Sequence, residues 1–235
     1  MAYNEGMDAL LSPLCYALGY LTGLAAFYMM ARRRGIATAG VMALMGAGLI
    51  GGLAGANLTQ WVLGGTAGKT VLGAVAFGYL SVFLYKRRLG ITRPTGDLFA
   101  VALCAGEAVG RFGCFFGGCC YGIPARVPWA VWQHGAWRHP TQIYDSLACL
   151  LILGALVALE RTGPRENALF YLQGLLYCVA RFVIEFYRWH PAPPPDGLTV
   201  AQWACCAGGL FFAVQLARLL RLPLPREAAA HAPLS

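Results

Sequence analysis

Residues 98–118 read LFAVALCAGEAVGRFGCFFGG, an apolar run that contains only two charged side chains, Glu107 and Arg111. A helix needs about 20 apolar residues to cross the hydrocarbon core of a bilayer, so this stretch is long enough to span one. Similar stretches precede and follow it, and together they cover 9–31, 36–58, 71–85, 98–118, 142–159, 169–187 and 199–220. The sequence therefore predicts an all-α integral membrane protein with about seven transmembrane helices. We expect 1–222 to form a single multi-pass domain and 223–235 a short, disordered cytoplasmic tail.

The composition excludes several other classes of protein. Only 12% of the 235 residues are charged and 58% are hydrophobic, whereas a soluble domain is about a quarter charged. The nine cysteines are an odd number and lie mostly in apolar runs, which is not the pattern of a small secreted disulfide-rich domain. The basic residues do not form one patch interleaved with aromatic residues, so the sequence indicates no nucleic-acid partner.

The basic residues predict the orientation of the helices in the membrane. If seven helices alternate in direction, twelve of the eighteen basic residues fall on one side: Arg32, Arg33, Arg34, Lys86, Arg87, Arg88, Arg93, Arg161, Arg165, Arg218, Arg221 and Arg226. The positive-inside rule makes that side cytoplasmic. We therefore expect the N-terminus outside and the C-terminus in the cytoplasm.

Ionisable residues inside the predicted helices indicate a functional site, because a charge within the bilayer is energetically expensive. Glu107 and Arg111 are four residues apart, as are Arg181 and Glu185, and Tyr177 precedes Arg181 by one turn. The predicted topology places these groups in the outer half of the membrane. Two guanidinium groups in one wet cavity suit a phosphate, which they bind through paired hydrogen bonds. The alternative is that each arginine only neutralises the glutamate on its own helix.

Three segments resemble the signature blocks of the prolipoprotein diacylglyceryl transferase family. They are Gly110-Arg111-Phe112-Gly113 with Gly118 and Tyr121-Gly122, then His139-Pro140-Thr141-Gln142-Ile143-Tyr144-Asp145, then Arg181-Phe-Val-Ile-Glu185-Phe-Tyr-Arg188. Their order and approximate spacing also match, and the resemblance covers most of the chain. It implies a multi-pass enzyme of the bacterial cytoplasmic membrane, with its active site toward the periplasm. Such an enzyme moves the diacylglyceryl group of phosphatidylglycerol onto the lipobox cysteine of a prolipoprotein.

The resemblance assigns roles to most of the candidate residues. Arg111 and Arg181 would hold the phosphate, with Glu185 positioning Arg181, while Tyr16 and Tyr177 would line the head-group site. His139, Gln142 and Tyr144 would shape its outer rim. The predicted catalytic residues are Arg111, Arg181, Glu185 and His139, and the predicted substrate-binding residues are Tyr16, Lys69, Glu107, Gly122, Gln142, Tyr144 and Tyr177.

The chain departs from the family pattern at several positions around these blocks. Leu72 stands where the family has a histidine, and Cys114 and Cys119 stand where it has an asparagine and a glutamate. Glu107 occupies a position that is usually apolar in the family. Since a leucine cannot accept a proton, Glu107, Glu185 and His139 all remain candidates for the general base.

The three cysteines at 114, 119 and 120 have several possible roles. Cys114 or Cys119 is a candidate nucleophile that would carry a covalent diacylglyceryl group, since Arg111 would favour a thiolate. Packing and disulfide formation are alternatives. The spacing C-x4-C-C is not that of a common zinc site, so the sequence predicts neither a metal nor another cofactor.

Two further functions remain open besides the family's reaction. One is a diverged paralogue that uses another acceptor or carries out another phospholipid reaction. The other is a non-enzymatic protein that binds or transports an anionic lipid. All three place the protein in the membrane with an anionic phospholipid as partner.

Overall fold

The computed structural model describes residues 5–64, 71–191 and 197–221. Over these residues the chain forms seven helices and one short hairpin. The elements are α1 (Glu5–Arg33), α2 (Ala39–Gly64), α3 (Val71–Arg88), α4 (Gly96–Phe116), β1 (Val131–Gln133), β2 (Ala136–Arg138), α5 (Thr141–Glu160), α6 (Ala168–Glu185) and α7 (Val200–Arg221). The predicted all-α membrane architecture is confirmed. The predicted tail, 223–235, lies outside the described residues.

Six of the described helices are long and apolar enough to cross a membrane. The exception is α3, which has 18 residues and ends in Lys86, Arg87 and Arg88. These three charges leave α3 an apolar stretch shorter than the roughly 20 residues of a complete span. It packs against α2 as the second helix of an antiparallel pair.

Glycines allow α1 and α4 to approach closely. A Cβ atom on Gly19 would lie 2.8 Å from the carbonyl oxygen of Gly106, and one on Gly106 would lie 3.0 Å from the carbonyl oxygen of Gly19. Gly23 and Gly110 follow each of these by four residues, which gives both helices a small-xxx-small motif. In a bilayer the hydrophobic effect does not drive helices together, so close backbone packing of this kind contributes much of the association.

An ionic cluster lies at the end of the bundle where α1 ends and α4 begins, here called the basic end. Arg34 donates to Asp97 at 2.8 Å and to Glu160 at 2.5 Å. Asp97 also accepts the backbone N–H groups of Asn167 and Phe170, both at 2.9 Å. Asp97 therefore joins four segments: the α1–α2 connection, α4, the end of α5 through Arg34, and the start of α6.

The interior is divided along the bundle axis. The largest fully buried apolar side chains lie near the basic end: Phe27, Leu98, Leu156 and Leu169. The opposite end, here called the site end, buries polar side chains instead: Thr141, Gln142, Asp145, Glu185 and Gln202. The apolar core thus holds the helices together on one side and leaves a polar interior on the other.

A β-hairpin in the α4–α5 connection was not predicted. Its strands pair Trp132 with Trp137, and the turn residues His134 and Gly135 both have positive φ angles, 49° and 74°. Two consecutive positive φ angles define a type I′ turn, which favours glycine at the second position. His134-Gly135 between the short runs VWQ and AWR is the sequence signal for this hairpin.

The glycine contact predicts that Gly19→Ala destabilises the protein by about 1–3 kcal/mol, because the new methyl group forces two backbones apart. Thermal unfolding in detergent should show this as a lower midpoint. Gly154→Ala is the matched control, since nothing lies within 4 Å of a Cβ at that position on α5. A Gly19→Ala midpoint at or above that of the unmodified protein would contradict the close contact.

The basic-end cluster predicts that Asp97→Ala costs about 3–5 kcal/mol, because the substitution removes one partner of a buried ion pair. The Arg93–Glu166 pair has a similar N···O distance, 2.6 Å, but both side chains are about half exposed. Arg93→Gln should therefore change the free energy of unfolding by no more than about 1 kcal/mol. Equal effects of the two substitutions would show that Asp97 is not a central link.

Candidate active site

The Glu107–Arg111 pair forms as the spacing predicts, near the end of α4. Arg111 Nε donates to Glu107 Oε1 at 2.9 Å, and Arg111 Nη2 also contacts that oxygen. Tyr177 on α6 donates its hydroxyl to the same glutamate oxygen at 2.9 Å. Arg111 is not limited to its own helix, since its Nη1 lies 3.2 Å from Asp145 Oδ2 on α5.

Asp145 connects this pair to the charges that follow α6. Its Oδ2 also accepts a hydrogen bond from Arg188 Nη2 at 2.6 Å, and the Asp145 side chain is only 4% exposed. Arg188 Nε lies 3.6 Å from Glu185 Oε2, and Arg181 Nη2 lies 2.6 Å from the same oxygen. The six charged groups therefore alternate in one continuous network: Glu107, Arg111, Asp145, Arg188, Glu185 and Arg181.

The network is electrically balanced, with three arginines and three carboxylates. A buried ion needs an opposite charge and hydrogen bonds to offset its loss of hydration. Glu185 has such partners, because Thr199 Oγ1 donates to it at 3.0 Å and His190 Nε2 lies 3.4 Å away. The predicted i, i+4 pairs are confirmed, but they belong to a larger network that includes Asp145 and Arg188.

Arg181 has a hydrogen-bonding group that the described residues leave unused. Its Nη1 is buried and has no hydrogen-bond partner among them, and the same is true of Arg188 Nε. In contrast, Nε, Nη1 and Nη2 of Arg111 all contact carboxylate oxygens. A guanidinium N–H buried without a hydrogen-bond partner is costly. Because Arg188 Nε already faces Glu185 Oε2 at 3.6 Å, Arg181 Nη1 is the stronger candidate for binding an anion.

His139 and Tyr144 form a second polar group beside the network. Trp129 Nε1 donates to the Tyr144 hydroxyl at 2.7 Å, and that hydroxyl lies 2.9 Å from His139 Nδ1. Since Trp129 is a donor only, the Tyr144 oxygen accepts that bond, and its second lone pair can accept the Nδ1–H of His139 in the tautomer that leaves Nε2 free to take up a proton. The His139 ring also packs against Tyr187, with ring centroids 5.0 Å apart. His139 forms no ion pair with the described carboxylates.

Gly122 and Gln142 shape the backbone around the site. Gly122 donates its N–H to His139 O at 3.1 Å, and a Cβ at this position would lie 2.3 Å from that oxygen. It also forms an antiparallel bridge with Arg188. Gln142 is fully buried and donates to Cys119 O at 2.8 Å, so it supports the loop after α4 from beneath and does not lie at an exposed rim.

Tyr16 lies against the cysteines that follow Arg111. Its hydroxyl donates to Cys114 Sγ at 3.2 Å and lies 4.0 Å from Cys119 Sγ. The structure thus places Tyr16 beside Cys114, Cys119 and Cys120.

Cys119 and Cys120 differ in acidity: hydrogen bonds from Cys114 and Cys119 lower the pKa of Cys120, with Arg188 and Arg111 adding to the effect. Hydrogen bonds to Cys114 and Cys120 raise the pKa of Cys119. Of these two cysteines, Cys120 therefore forms the thiolate more readily than Cys119.

Most of the sequence-predicted site residues meet at the site end. Arg111, Glu107, Tyr177, Arg181 and Glu185 belong to the network or contact it. Lys69 lies outside the described residues, and so does the side chain of Leu72. Asp145 and Arg188 were not among the candidates, although both stand at the ends of the quoted motifs.

Fold and site together define a multi-pass membrane protein with a charge-balanced, arginine-rich site near one end of its helices. Residues 12–218 match the family model of prolipoprotein diacylglyceryl transferase. The chain belongs to this family of membrane transferases, as the resemblance implied.

Individual relatives agree with the family match. The phosphatidylglycerol–prolipoprotein diacylglyceryl transferase of Clostridium tetani is 28% identical over 210 residues, which cover 80% of this chain and 84% of the relative. The protein of that name from Thermotoga petrophila is 31% identical over 205 residues, covering 74% and 70%. The one from Gloeobacter violaceus is 34% identical over 174 residues, covering 68% and 64%.

The network predicts energetic coupling between Asp145 and Arg188. In a double-mutant cycle of Asp145→Asn and Arg188→Gln, the two effects on the free energy of unfolding should differ from additivity by about 0.5–3 kcal/mol. Asp145→Asn combined with Arg93→Gln is the control and should be additive, since Arg93 pairs with Glu166. Denaturant unfolding of the four proteins in each cycle measures both values. Additivity in the first cycle would contradict a direct Asp145–Arg188 interaction.

Proposed function

We propose that this protein transfers the diacylglyceryl group of phosphatidylglycerol to the lipobox cysteine thiol of a prolipoprotein. The observation that carries this proposal is the buried charge network, in which Arg181 Nη1 has no partner among the described residues. Family membership supports the reaction class, and the names of the relatives include both substrates. Arg32, Arg33 and Lys86 through Arg88 end α1 and α3 at the basic end. By the positive-inside rule, these charges support a site end that faces the periplasm of the bacterial inner membrane, with the N-terminus outside.

The reaction places two demands on the site. The thiol sulfur of the acceptor forms a bond to the glycerol carbon that carries the phosphate, while the bond from that carbon to the phosphate oxygen breaks. Glycerol phosphate leaves with the electron pair, and the thiol proton passes to a base. The site must therefore stabilise negative charge on the leaving phosphate and accept one proton.

Arginine side chains meet the first demand. Arg181 Nη1 has no hydrogen-bond partner among the described residues, so a phosphate oxygen that reaches it gains a hydrogen bond without displacing another. Arg111 is held by Glu107 and Asp145, so a phosphate approaching it has to replace one of them. Glu107 is the more replaceable, because its side chain is 27% exposed and that of Asp145 only 4%. Glu107 then acts as an anion that occupies Arg111 until the lipid head group arrives.

His139 meets the second demand better than the two glutamates. Glu185 is buried, and Arg181, Arg188 and Thr199 already contact its carboxylate. Glu107 already accepts hydrogen bonds from Arg111 and Tyr177. Since His139 has no ion-pair partner in the described part of the chain, it is free to take up the thiol proton.

A different acceptor is the second candidate function. It is favoured by Leu72, Cys114 and Cys119, which replace a histidine, an asparagine and a glutamate of the family pattern. Arg181, Glu185 and Tyr177 match that pattern, so the phospholipid donor is the same in both candidates.

Incubation of the purified protein with labelled phosphatidylglycerol and a lipobox peptide tests the proposal. We expect a thioether-linked diacylglyceryl peptide and one glycerol phosphate for each peptide modified. Arg181→Gln should lower kcat/KM by about 100-fold or more, because a donor to the leaving phosphate is lost. Arg93→Gln, on the exposed pair, is the control. Release of glycerol phosphate without peptide product would favour the second candidate, and neither product above empty vesicles would refute both.

Two substitutions separate the roles of Glu107 and His139. Glu107→Gln should lower the KM for phosphatidylglycerol and leave kcat within a few-fold, because Arg111 is released from a competing anion. His139→Asn should lower kcat by about 10²-fold or more, the usual contribution of a general base. Initial rates at varied lipid and peptide concentrations measure both constants. If Glu107→Gln abolishes kcat and His139→Asn does not, Glu107 is the base.

A further inference from the structure

The cluster of Cys114, Cys119 and Cys120 brings three sulfur atoms together. Each sulfur lies within 4.8 Å of the other two. Cys114 is in the last turn of α4, and the other two belong to the loop that follows. The proposed transfer reaction uses none of these thiols, so their convergence needs a separate explanation.

The loop backbone is fixed independently of the sulfurs. Thr141 Oγ1 donates to Cys120 O at 2.6 Å, and Gln142 Nε2 donates to Cys119 O at 2.8 Å. Thr141 and Gln142 are fully buried at the start of α5. The backbone of Cys120 is in the left-handed region, with φ of 59°, which non-glycine residues adopt infrequently. Buried contacts to main-chain atoms thus hold the loop in a form that leaves all three side chains directed together.

Burial does not explain the cluster. Cysteines that serve as small apolar packing residues are buried, as Cys104 and Cys149 are in this chain. Cys119 is exposed, and Cys114 and Cys120 are only partly buried. Packing therefore accounts for Cys104 and Cys149, whereas the three thiols of the cluster are only partly enclosed by the protein.

The distances suit one soft metal ion. Zinc binds thiolate sulfur at about 2.3 Å, so sulfurs around one ion are about 4 Å apart, within the observed limit. Three thiolates and one divalent cation carry a net charge of −1, and the positively charged Arg111 lies three residues before Cys114 on α4.

We propose that Cys114, Cys119 and Cys120 bind one thiophilic cation of the zinc class through their three sulfur atoms. Each thiol releases its proton to water when it coordinates the ion. The fourth position lies on the side of Tyr16, whose hydroxyl is 3.2 Å from Cys114 Sγ and 4.0 Å from Cys119 Sγ. The sequence spacing gave no such indication, because the loop geometry and not a regular motif assembles the ligands. This proposal is independent of the proposed transferase reaction.

Metal titration of the reduced, detergent-purified protein tests the proposal. With Zn²⁺ as the probe we expect one ion per chain by elemental analysis after gel filtration. With Cd²⁺ we expect an ultraviolet thiolate-to-metal charge-transfer band whose intensity corresponds to three coordinated sulfur atoms. Cys114→Ser, Cys119→Ser and Cys120→Ser should each weaken binding by more than the roughly tenfold that loss of an outer-shell partner causes.

Cys206→Ser is the matched control, because Cys206 is an exposed cysteine on α7 outside the cluster. It should leave the stoichiometry and the charge-transfer band unchanged. Thermal unfolding without metal identifies variants that fail to fold, and a Cd²⁺ band of reduced intensity in a folded variant supports direct ligation. The proposal would be overturned if the unmodified protein bound metal no more strongly than the three cluster variants do. Intact-mass analysis would also overturn it by showing that the protein isolated without reductant carries a disulfide within the cluster and gains no metal after reduction.

Discussion

The site depends on the ion pairs that two arginines form with one buried carboxylate, that of Asp145. A single carboxylate oxygen, Oδ2, receives Arg111 from α4 and Arg188 from the segment after α6. Both arginine side chains are largely buried, at 15% and 10% exposed, so each position is set by the carboxylate that neutralises it. Arg188 then places a positive charge beside Glu185, and Glu185 in turn orients Arg181. The geometry of the site end thus follows from one buried aspartate and from the alternating charges around it.

The basic end of the bundle also depends on a buried aspartate, which there joins helices to one another. Asp97 is buried and joins Arg34 to two backbone N–H groups at the start of α6. The apolar core lies next to this cluster, and the glycine contacts between α1 and α4 extend from it toward the site. Helices that are fixed at one end by ion pairs and along their length by close backbone packing hold the polar end in place. A polar interior is tolerated there because the remaining contacts supply the stability.

The sequence predicts the parts of this structure that depend on local pattern. Hydropathy alone locates the helices, and the i, i+4 spacing alone predicts the Glu107–Arg111 and Arg181–Glu185 pairs, both of which form. Asp145 and Arg188 were missed as network members because their partners lie on other helices, and spacing carries no information about contacts between helices. The burial of Gln142 was missed for the same reason, since its partners Cys119 and Gln133 precede it in a connection whose hairpin was not predicted. Only a resemblance or a structure supplies such contacts.

Most of the departures that the resemblance to the family indicates lie around Arg111, whereas Leu72 is on α3. Glu107 lies one turn before Arg111 on α4, and Cys114 and Cys119 follow it within the next eight residues. On α6, Tyr177, Arg181 and Glu185 fit the resemblance to the family. Under the proposed function, a different phospholipid donor would require changes on this side, because Arg181 Nη1 has no hydrogen-bond partner among the described residues. Glu107 on α4 instead alters how Arg111 is neutralised, and Cys114 together with the loop residues Cys119 and Cys120 brings three thiols together where α4 ends. The residues that set this chain apart from the family pattern therefore lie mainly around Arg111, whereas α6 carries the arginine of the proposed donor site.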